Sequence, residues 1–284
     1  MVAMVGGGQL ARMTHQAAIA LARAYLARYL AATAHLRRTS GTSAYGPSAE
    51  EIAVALGGAG PAHDQALDAA VADARSALRA ALTARPEPLL ARLIRVCALT
   101  EPDVAIVAVL FAPELAHELE RAYAFALDDF TRKRGDVGFL ARMIGAEDPA
   151  QVDRVLRRFD DAAPLRRLGV VTLGPAGDAP ATMRTIRLAD RIVAFLRGHD
   201  TVDEQVAGVV RIGELAPQRT DVVMDPALID RIARGLDDPG GAPRLLLAGP
   251  EGSGRALIAE ALLGERGRSC VRIDLAGAIA EGRP

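Results

Sequence analysis

Apolar residues recur at steps of three and four along most of the chain, which predicts a mainly α fold. The first apolar stripe predicts one long helix from about residue 9 to residue 38. A loop rich in Ser, Thr and Gly over 39–47 and a short helix capped by Ser48 separate it from an alanine-rich helix over 62–84. We therefore expect residues 1–86 to form a helical N-terminal segment.

From residue 87 onward the apolar residues become larger and the order of elements changes. Three helices are predicted first, and the pattern at 100–103 predicts a capped start for the most apolar of them. Two stretches of β type follow, "GVVTLG" (169–174) and "MRTIRL" (183–188), joined by the small residues "PAGDAPAT". Helices followed by a hairpin are the order of a winged helix, so we expect a winged-helix domain over 87–189.

The last third of the chain returns to helical patterns and then mixes strand and helix. We expect a helical connector over 190–240, because three helical patterns follow one another there: "ADRIVAFLRG", the weaker "VDEQVAGVV" and "PALIDRIARGL". A strand over 244–248, a helix over 254–263 and a strand over 270–275 come next. This order predicts an incomplete α/β P-loop (βαβ) unit over 241–284.

The turn inside that unit, "GPEGSGRA", has the G-x-x-x-x-G spacing of a phosphate-binding loop. Such a loop binds phosphate through backbone N–H groups, through a Lys and through a Ser or Thr hydroxyl that holds magnesium. Arg255 and Ala256 stand where the Lys and the hydroxyl are needed, and Ala256 offers magnesium no oxygen. We predict weak or absent binding of ATP or ADP, no hydrolysis and no catalytic residue; a plain Gly-rich turn is the alternative. The predicted nucleotide-binding residues are Gly249, Gly252, Ser253, Gly254, Arg255 and Ala256.

A candidate nucleic-acid face lies on the helix that is predicted to start at Asp148, which would be the recognition helix of the winged helix. Arg154, Arg157 and Arg158 are predicted on its outer face, where a DNA reader presents cations to phosphates and bases. Three aspartates dilute this charge: Asp153, Asp160 and Asp161. A solvated helix face therefore remains the alternative to DNA binding.

Composition narrows the remaining classes of function. The net charge of −1 gives no global field that would recruit nucleic acid or an acidic membrane. Cys97 and Cys270 form no metal or redox motif, and the five histidines show no ligand spacing, so we expect no metal site. The N-terminus lacks a signal-peptide pattern, and we expect a cytoplasmic protein.

Residues of about 87–275, including "LLLAGPEGSGRALIAEAL", resemble the N-terminal half of bacterial AAA-family ATPases that carry a winged-helix domain. Such ATPases are often encoded beside contractile injection systems, and a degenerate phosphate loop can precede their competent ATPase module. The resemblance implies an adaptor and pseudo-ATPase portion of such an ATPase. Its implied partners are other proteins or further domains of the same polypeptide.

A second resemblance concerns "VAMVGGGQLARMTHQAAIAL" at 2–21. This stretch is similar to the start of the ATP-grasp enzymes that carboxylate aminoimidazole ribonucleotide in purine synthesis. It implies a strand followed by a dinucleotide-type turn at Gly6, Gly8 and Ala11. Three classes of function therefore stay open: a pseudo-ATPase adaptor, a winged-helix DNA-binding module and an ATP-dependent purine-biosynthesis enzyme.

Overall fold

The computed structural model divides into two compact units, Met1–Asp200 and Thr201–Pro284. The loop predicted over 39–47 and the helix predicted after Ser48 lie outside the described residues. The structure describes residues 3–33, 64–129, 131–132, 134–146, 148–178, 180–199, 202, 206–212, 217–236, 245–250, 252–268 and 270–280.

The first unit is mainly helical, as the apolar periodicity predicts. Its described residues form nine α-helices, which lie in this order: α1 (Ala3–Ala32), α2 (Gln65–Leu82), α3 (Leu89–Val96), α4 (Glu101–Leu115), α5 (Glu118–Ala126), α6 (Val137–Gly145), α7 (Pro149–Leu156), α8 (Pro164–Arg167) and α9 (Asp190–Leu196). A short 3₁₀ turn, Arg157–Phe159, follows α7. A second one, Ala181–Met183, precedes the last strand of this unit.

A β-hairpin follows α8 and confirms the predicted winged-helix order. Strands β1 (Val171–Leu173) and β2 (Ile186–Leu188) pair antiparallel. An isolated bridge between Asp136 and Thr185 extends the pairing to the residue that precedes α6. Helices α6 and α7, the hairpin and this bridge form one compact arrangement of a helix-turn-helix with its wing.

Helix α4 is the centre of the core, since every residue from Ala105 to Ala112 is buried. Pro113 lies inside this helix and has no N–H to donate to the carbonyl of Val109. The hydroxyl of Tyr123 on α5 donates to that carbonyl instead, at 2.9 Å. Burial raises the pKa of Tyr123, so this hydroxyl keeps its proton and remains a donor. The carbonyl that Pro113 leaves without a helical donor is thereby satisfied from the neighbouring helix.

The N-terminal helix α1 belongs to the same core as the helix-turn-helix. It packs against α2, α4 and α6. The ring of Tyr29 on α1 meets the ring of Phe139 edge-on, with 5.2 Å between the ring centroids. Phe139 also meets Tyr123 at 5.6 Å, so one aromatic side chain of α6 joins α1 and α5. The buried face of α1 belongs to the same core as the elements that follow it. The division of the sequence after residue 86 stays a prediction.

Arg28 connects α1 to α2 and to the end of α6 through one partly buried guanidinium. It pairs with Asp68 at 3.0 Å and donates to the carbonyls of Met143 and Ile144 at 3.2 and 3.0 Å. Those carbonyls lie in the last turn of α6, which has no further helical N–H to accept from. A positive charge there also interacts favourably with the negative end of the helix dipole. The guanidinium lies 5.4 Å from the centre of the Tyr25 ring.

The dinucleotide-type turn implied for the N-terminus is wrong in this structure. Helix α1 begins at Ala3 and runs through Gly6 and Gly8, so neither the strand nor the turn forms there. The apolar stripe that continues beyond these glycines packs on a core, and a helix with that much buried surface extends through residues that lower helix propensity.

The second unit contains three helices and two short strands in its described residues. A 3₁₀ turn, Arg219–Asp221, lies before the first of these helices. In chain order the main elements are β3 (Val210–Ile212), α10 (Pro226–Leu236), α11 (Arg255–Gly264), β4 (Val271–Ile273) and α12 (Leu275–Ala280). Strands β3 and β4 pair antiparallel, and the small core is built on Ile229, Ile258 and Leu262.

Two predicted elements of the second unit are wrong. The weak helix predicted in "VDEQVAGVV" is instead a turn at 206–209 that leads into β3, where β-branched valines suit an extended backbone. The strand predicted over 244–248 is irregular in its described residues 245–248. Because β4 pairs with β3, the segment before the loop lacks that strand as a partner, and only Leu247 packs on the core.

No helix among the described residues is both long enough and apolar enough to cross a bilayer.

The Arg28 contacts predict a large loss of stability when the guanidinium is removed. We expect Arg28→Met to lower the free energy of unfolding by about 2–4 kcal/mol, because Asp68 and two helix-terminal carbonyls lose a charged donor. Arg23→Met is the matched control on the same helix. Its exposed pair with Glu118 predicts a loss below about 1 kcal/mol. Urea unfolding of both variants tests the difference, and equal losses would contradict it.

Candidate functional site

The helix-turn-helix of the first unit is held by caps that the local sequence encodes. Asp136 accepts from the backbone N–H of Phe139 at 2.6 Å and starts α6, while Arg132 pairs with it at 2.9 Å. Asp148 caps α7 in the same way by accepting from the N–H of Ala150. Pro149 at the first position of α7 has no N–H that the cap would have to satisfy.

Gly145 allows α7 to approach the end of α6. A Cβ at this position would lie 2.7 Å from the backbone nitrogen of Val152, which is closer than real Cβ contacts come. The residue after it, Ala146, adopts a left-handed conformation with φ of 57° and ends α6. The turn between the two helices is therefore set by a small residue and a left-handed cap.

The structure separates the three arginines predicted as a nucleic-acid face. Arg154 is exposed, in agreement with the prediction. Arg157 is also exposed, but its Nε donates to Asp153 at 2.8 Å. The pair with Asp153, together with the charge of Asp160, raises the pKa of Arg157. Arg157 is thus paired with a carboxylate, whereas Arg154 has no ion pair with a residue that the structure describes.

Arg158 corrects the prediction, because its side chain is partly buried and its guanidinium pairs with a buried carboxylate. Its Nε and Nη2 each donate at 2.7 Å to the two oxygens of Asp103, a residue that is fully buried in α4. This bidentate pair raises the pKa of Arg158. The periodicity assigned Arg158 to the outer face, but the chain tightens into a 3₁₀ turn at Arg157–Phe159 and rotates the side chain inward.

The charges of residues 148–168, which include the recognition helix α7, nearly balance. This stretch has five arginines and four aspartates, and one of the arginines, Arg158, is paired with Asp103 from α4. The aspartates are Asp148, Asp153, Asp160 and Asp161, and the other arginines are Arg154, Arg157, Arg166 and Arg167. Arg166 pairs with Asp161 at 2.6 Å, so part of this charge is neutralised locally.

The wing between β1 and β2 adds no exposed cation among its described residues. Asp178 is the charged residue of the stretch 174–183. Arg184, at the end of the wing, donates through Nε and Nη2 to the carbonyl of Gly174 at 2.9 and 2.6 Å. That guanidinium closes the base of the hairpin, and the stretch between the strands exposes Asp178, Met183 and several small residues.

In the second unit, the predicted phosphate loop forms a tight turn that leads into α11. The N–H of Ser253 donates to the carbonyl of Pro250 at 3.3 Å, and Gly252 and Gly254 have φ of 79° and 75°. Only glycine adopts these left-handed angles readily, which explains the spacing. Gly254 is the N-cap of α11 and makes no side-chain cap, so the first N–H groups of the helix are not satisfied by a side chain at that position.

The loop residues fit a phosphate only in part, and they do not fit magnesium. Arg255 and Ala256 are exposed at the start of α11, and Ala256 has no oxygen to offer a cation. A phosphate loop is normally held between a parallel strand and a helix, whereas residues 245–248 are irregular and β4 pairs antiparallel with β3. The nucleotide-binding assignment of residues 249–256 remains a prediction.

The other candidates for chemistry stay isolated. Burial raises the pKa of both thiols, Cys97 and Cys270, which disfavours the reactive thiolate. Within the described parts of the chain, no His, Cys, Asp and Glu side chains gather into a group of three or more that could hold a metal ion.

Comparison with known families identifies the chain through its first unit. A family model described as "Winged helix domain, variant" matches residues 21–210, about two thirds of the chain. The chain therefore belongs to this variant winged-helix family. No curated protein and no solved structure matches it. The matched description names a winged helix alone, so the resemblances to AAA-family ATPases and to ATP-grasp enzymes stay predictions.

Asp103 is the residue of this site that sequence reasoning missed. Its pattern with Thr100 predicts a helix cap, and the cap is present, with Oδ2 accepting from the N–H and the hydroxyl of Thr100 at 2.8 Å. Its second role with Arg158 links positions 55 residues apart. A signal was available, since Asp103 directly precedes the most apolar run of the chain, where a carboxylate needs a buried partner.

The Asp103–Arg158 pair predicts that Arg158 is needed for the fold. We expect Arg158→Met to lower the free energy of unfolding by about 3–5 kcal/mol, because the buried carboxylate loses its cation. Arg157→Met removes an exposed pair from the adjacent position and should leave the stability nearly unchanged. Chemical unfolding measures both values. A loss below about 1 kcal/mol for Arg158→Met would show that the pair is not structural.

Proposed function

We propose that the chain is a winged-helix adaptor that acts through protein–protein contacts. Winged-helix modules bind nucleic acids or proteins, and the nearly balanced charge around the recognition helix favours the second of these uses. Arg158 forms an ion pair with the buried Asp103, and Arg157 forms one with Asp153. Binding to a phosphate backbone depends on cations that release counterions from the nucleic acid. Arg154 alone supplies little of that free energy.

The finer form of the proposal follows from the sequence resemblance. We propose that this adaptor is the N-terminal, pseudo-ATPase portion of an AAA-family ATPase, and that residues 249–256 bind ATP or ADP weakly or not at all. Ala256 supports this view because it offers magnesium no ligand. The antiparallel β3–β4 pair supports it as well, because the strand that would carry an acidic magnesium partner is not beside the loop.

Duplex DNA binding tests the adaptor proposal. We expect fluorescence anisotropy with mixed-sequence duplex DNA to show binding no tighter than about 10⁻⁴–10⁻⁶ M at physiological salt, the range of non-specific association. Arg154→Ala should leave it nearly unchanged. Tight binding that falls steeply with salt and is lost in Arg154→Ala would reject the adaptor proposal and favour a DNA-binding winged helix.

ATP hydrolysis tests the pseudo-ATPase part. We expect no release of inorganic phosphate from ATP above the buffer rate, with or without magnesium, because Ala256 provides no ligand for the metal. Ala256→Ser restores the hydroxyl and is the informative companion variant. It should still not hydrolyse ATP, since residues 245–248 before the loop are irregular and do not hold it as a strand would. Magnesium-dependent turnover in the unmodified chain that disappears in Arg255→Ala would contradict the proposal.

A further inference from the structure

The positive charge that the recognition helix lacks is found at the start of α3. Glu87 lies just before this helix, and its two oxygens accept from Nε and Nη2 of Arg95 at 2.9 and 3.0 Å. The Arg95 guanidinium lowers the pKa of Glu87, and the charges of Arg92 and Arg85 add to the effect. Between residues 85 and 95, three arginines accompany one carboxylate, which leaves a local excess of two positive charges.

Several other exposed arginines of the first unit are paired with an acid. Four such pairs are Arg23–Glu118, Arg79–Glu101, Arg157–Asp153 and Arg187–Asp190. Around Glu87 the ratio is three to one. Arg92 has no ion pair with a described residue, and Arg85 donates only to the backbone carbonyls of Thr83 and Ala84.

The same surface includes an exposed apolar side chain. Val96 is 67% exposed at the end of α3. It lies four residues after Arg92, so the two share a helix face, and Arg92 also neighbours Arg95 three residues on. The opposite face of α3 is anchored by the buried Leu90 and Leu93. We call the exposed set Arg85, Glu87, Arg92, Arg95 and Val96 the α3 basic surface.

We propose that the α3 basic surface docks an acidic segment of a protein partner. The excess of guanidinium groups complements carboxylates, and Arg is enriched at protein interfaces because its planar fork binds them in a bidentate way. Val96 offers such a segment an apolar contact. A nucleic acid fits less well, because a phosphate backbone gains nothing from a valine. This inference rests on the proposed function.

Binding of an acidic peptide to the full chain tests the docking surface. The probe is a fluorescein-labelled peptide of alternating glutamate and leucine, measured by fluorescence anisotropy, with a lysine–leucine peptide as the charge control. We expect the acidic peptide to bind and the basic one not to bind. The double variant Arg85→Glu with Arg92→Glu should weaken binding at least about tenfold, since attraction becomes repulsion. Arg92→Lys keeps the charge and should retain most of the affinity.

Arg121→Glu is the matched control, because it reverses an exposed arginine on α5. It should change the affinity less than about twofold, and the unfolding midpoints of all variants should agree, since every substituted side chain is exposed. Equal weakening by Arg121→Glu would show attraction to net charge alone and overturn the inference. So would unchanged binding in the double variant, or duplex DNA binding that the double variant abolishes.

The outcome separates this inference from the proposed function. Salt-dependent DNA binding that is lost in Arg154→Ala, with peptide binding intact, overturns the adaptor proposal alone. If the chain does not bind DNA and the double variant binds the acidic peptide as tightly as the unmodified chain, the docking surface alone is overturned.

Discussion

A carboxylate that is removed from water needs cations and hydrogen-bond donors around it, and Asp103 is such a group at the centre of the first unit. Its oxygens accept two bonds from Thr100 and two from Arg158. The first pair starts α4, the most buried helix, and the second ties that helix to the end of the recognition helix. One buried charge therefore orients the element that a winged helix uses for binding.

This arrangement has a consequence for function, since a cation that is used inside the fold cannot also be used outside it. Arg158 stabilises the position of α7 and is lost to any phosphate. Arg28 acts in a similar way at the end of α6, where it pairs with Asp68 and binds helix-terminal carbonyls. The helix-turn-helix is thus held from two sides by guanidiniums, while its outer surface remains balanced by aspartates. Under the adaptor proposal, such a surface serves protein contacts and not tight binding to phosphates.

Local patterns predicted much of this fold, and long-range contacts explain what they missed. Periodicity and caps predicted α2, α6, α7 and the hairpin, because these elements are set by neighbouring residues. The β3–β4 pair joins residues far apart in sequence, and no local signal selects β3 as the partner of β4. At the N-terminal glycines, a local motif predicted a turn that the packing of the helix overrides. A motif of 20 residues implied a turn, and a helix was formed there because the following stripe packs on the core.

The composition of the cations explains why the binding site was the hardest part to predict. Lys133 is the single lysine, so arginine fills both structural and surface roles in this chain. The planar guanidinium suits buried bidentate pairs as well as it suits phosphates, and its spacing in the sequence does not distinguish the two uses. Arg157 and Arg158 are neighbours in sequence, yet one lies in solvent and the other against Asp103. Which arginine is available to a partner is decided by the acids that reach it from other elements, as the unequal charges around Glu87 show.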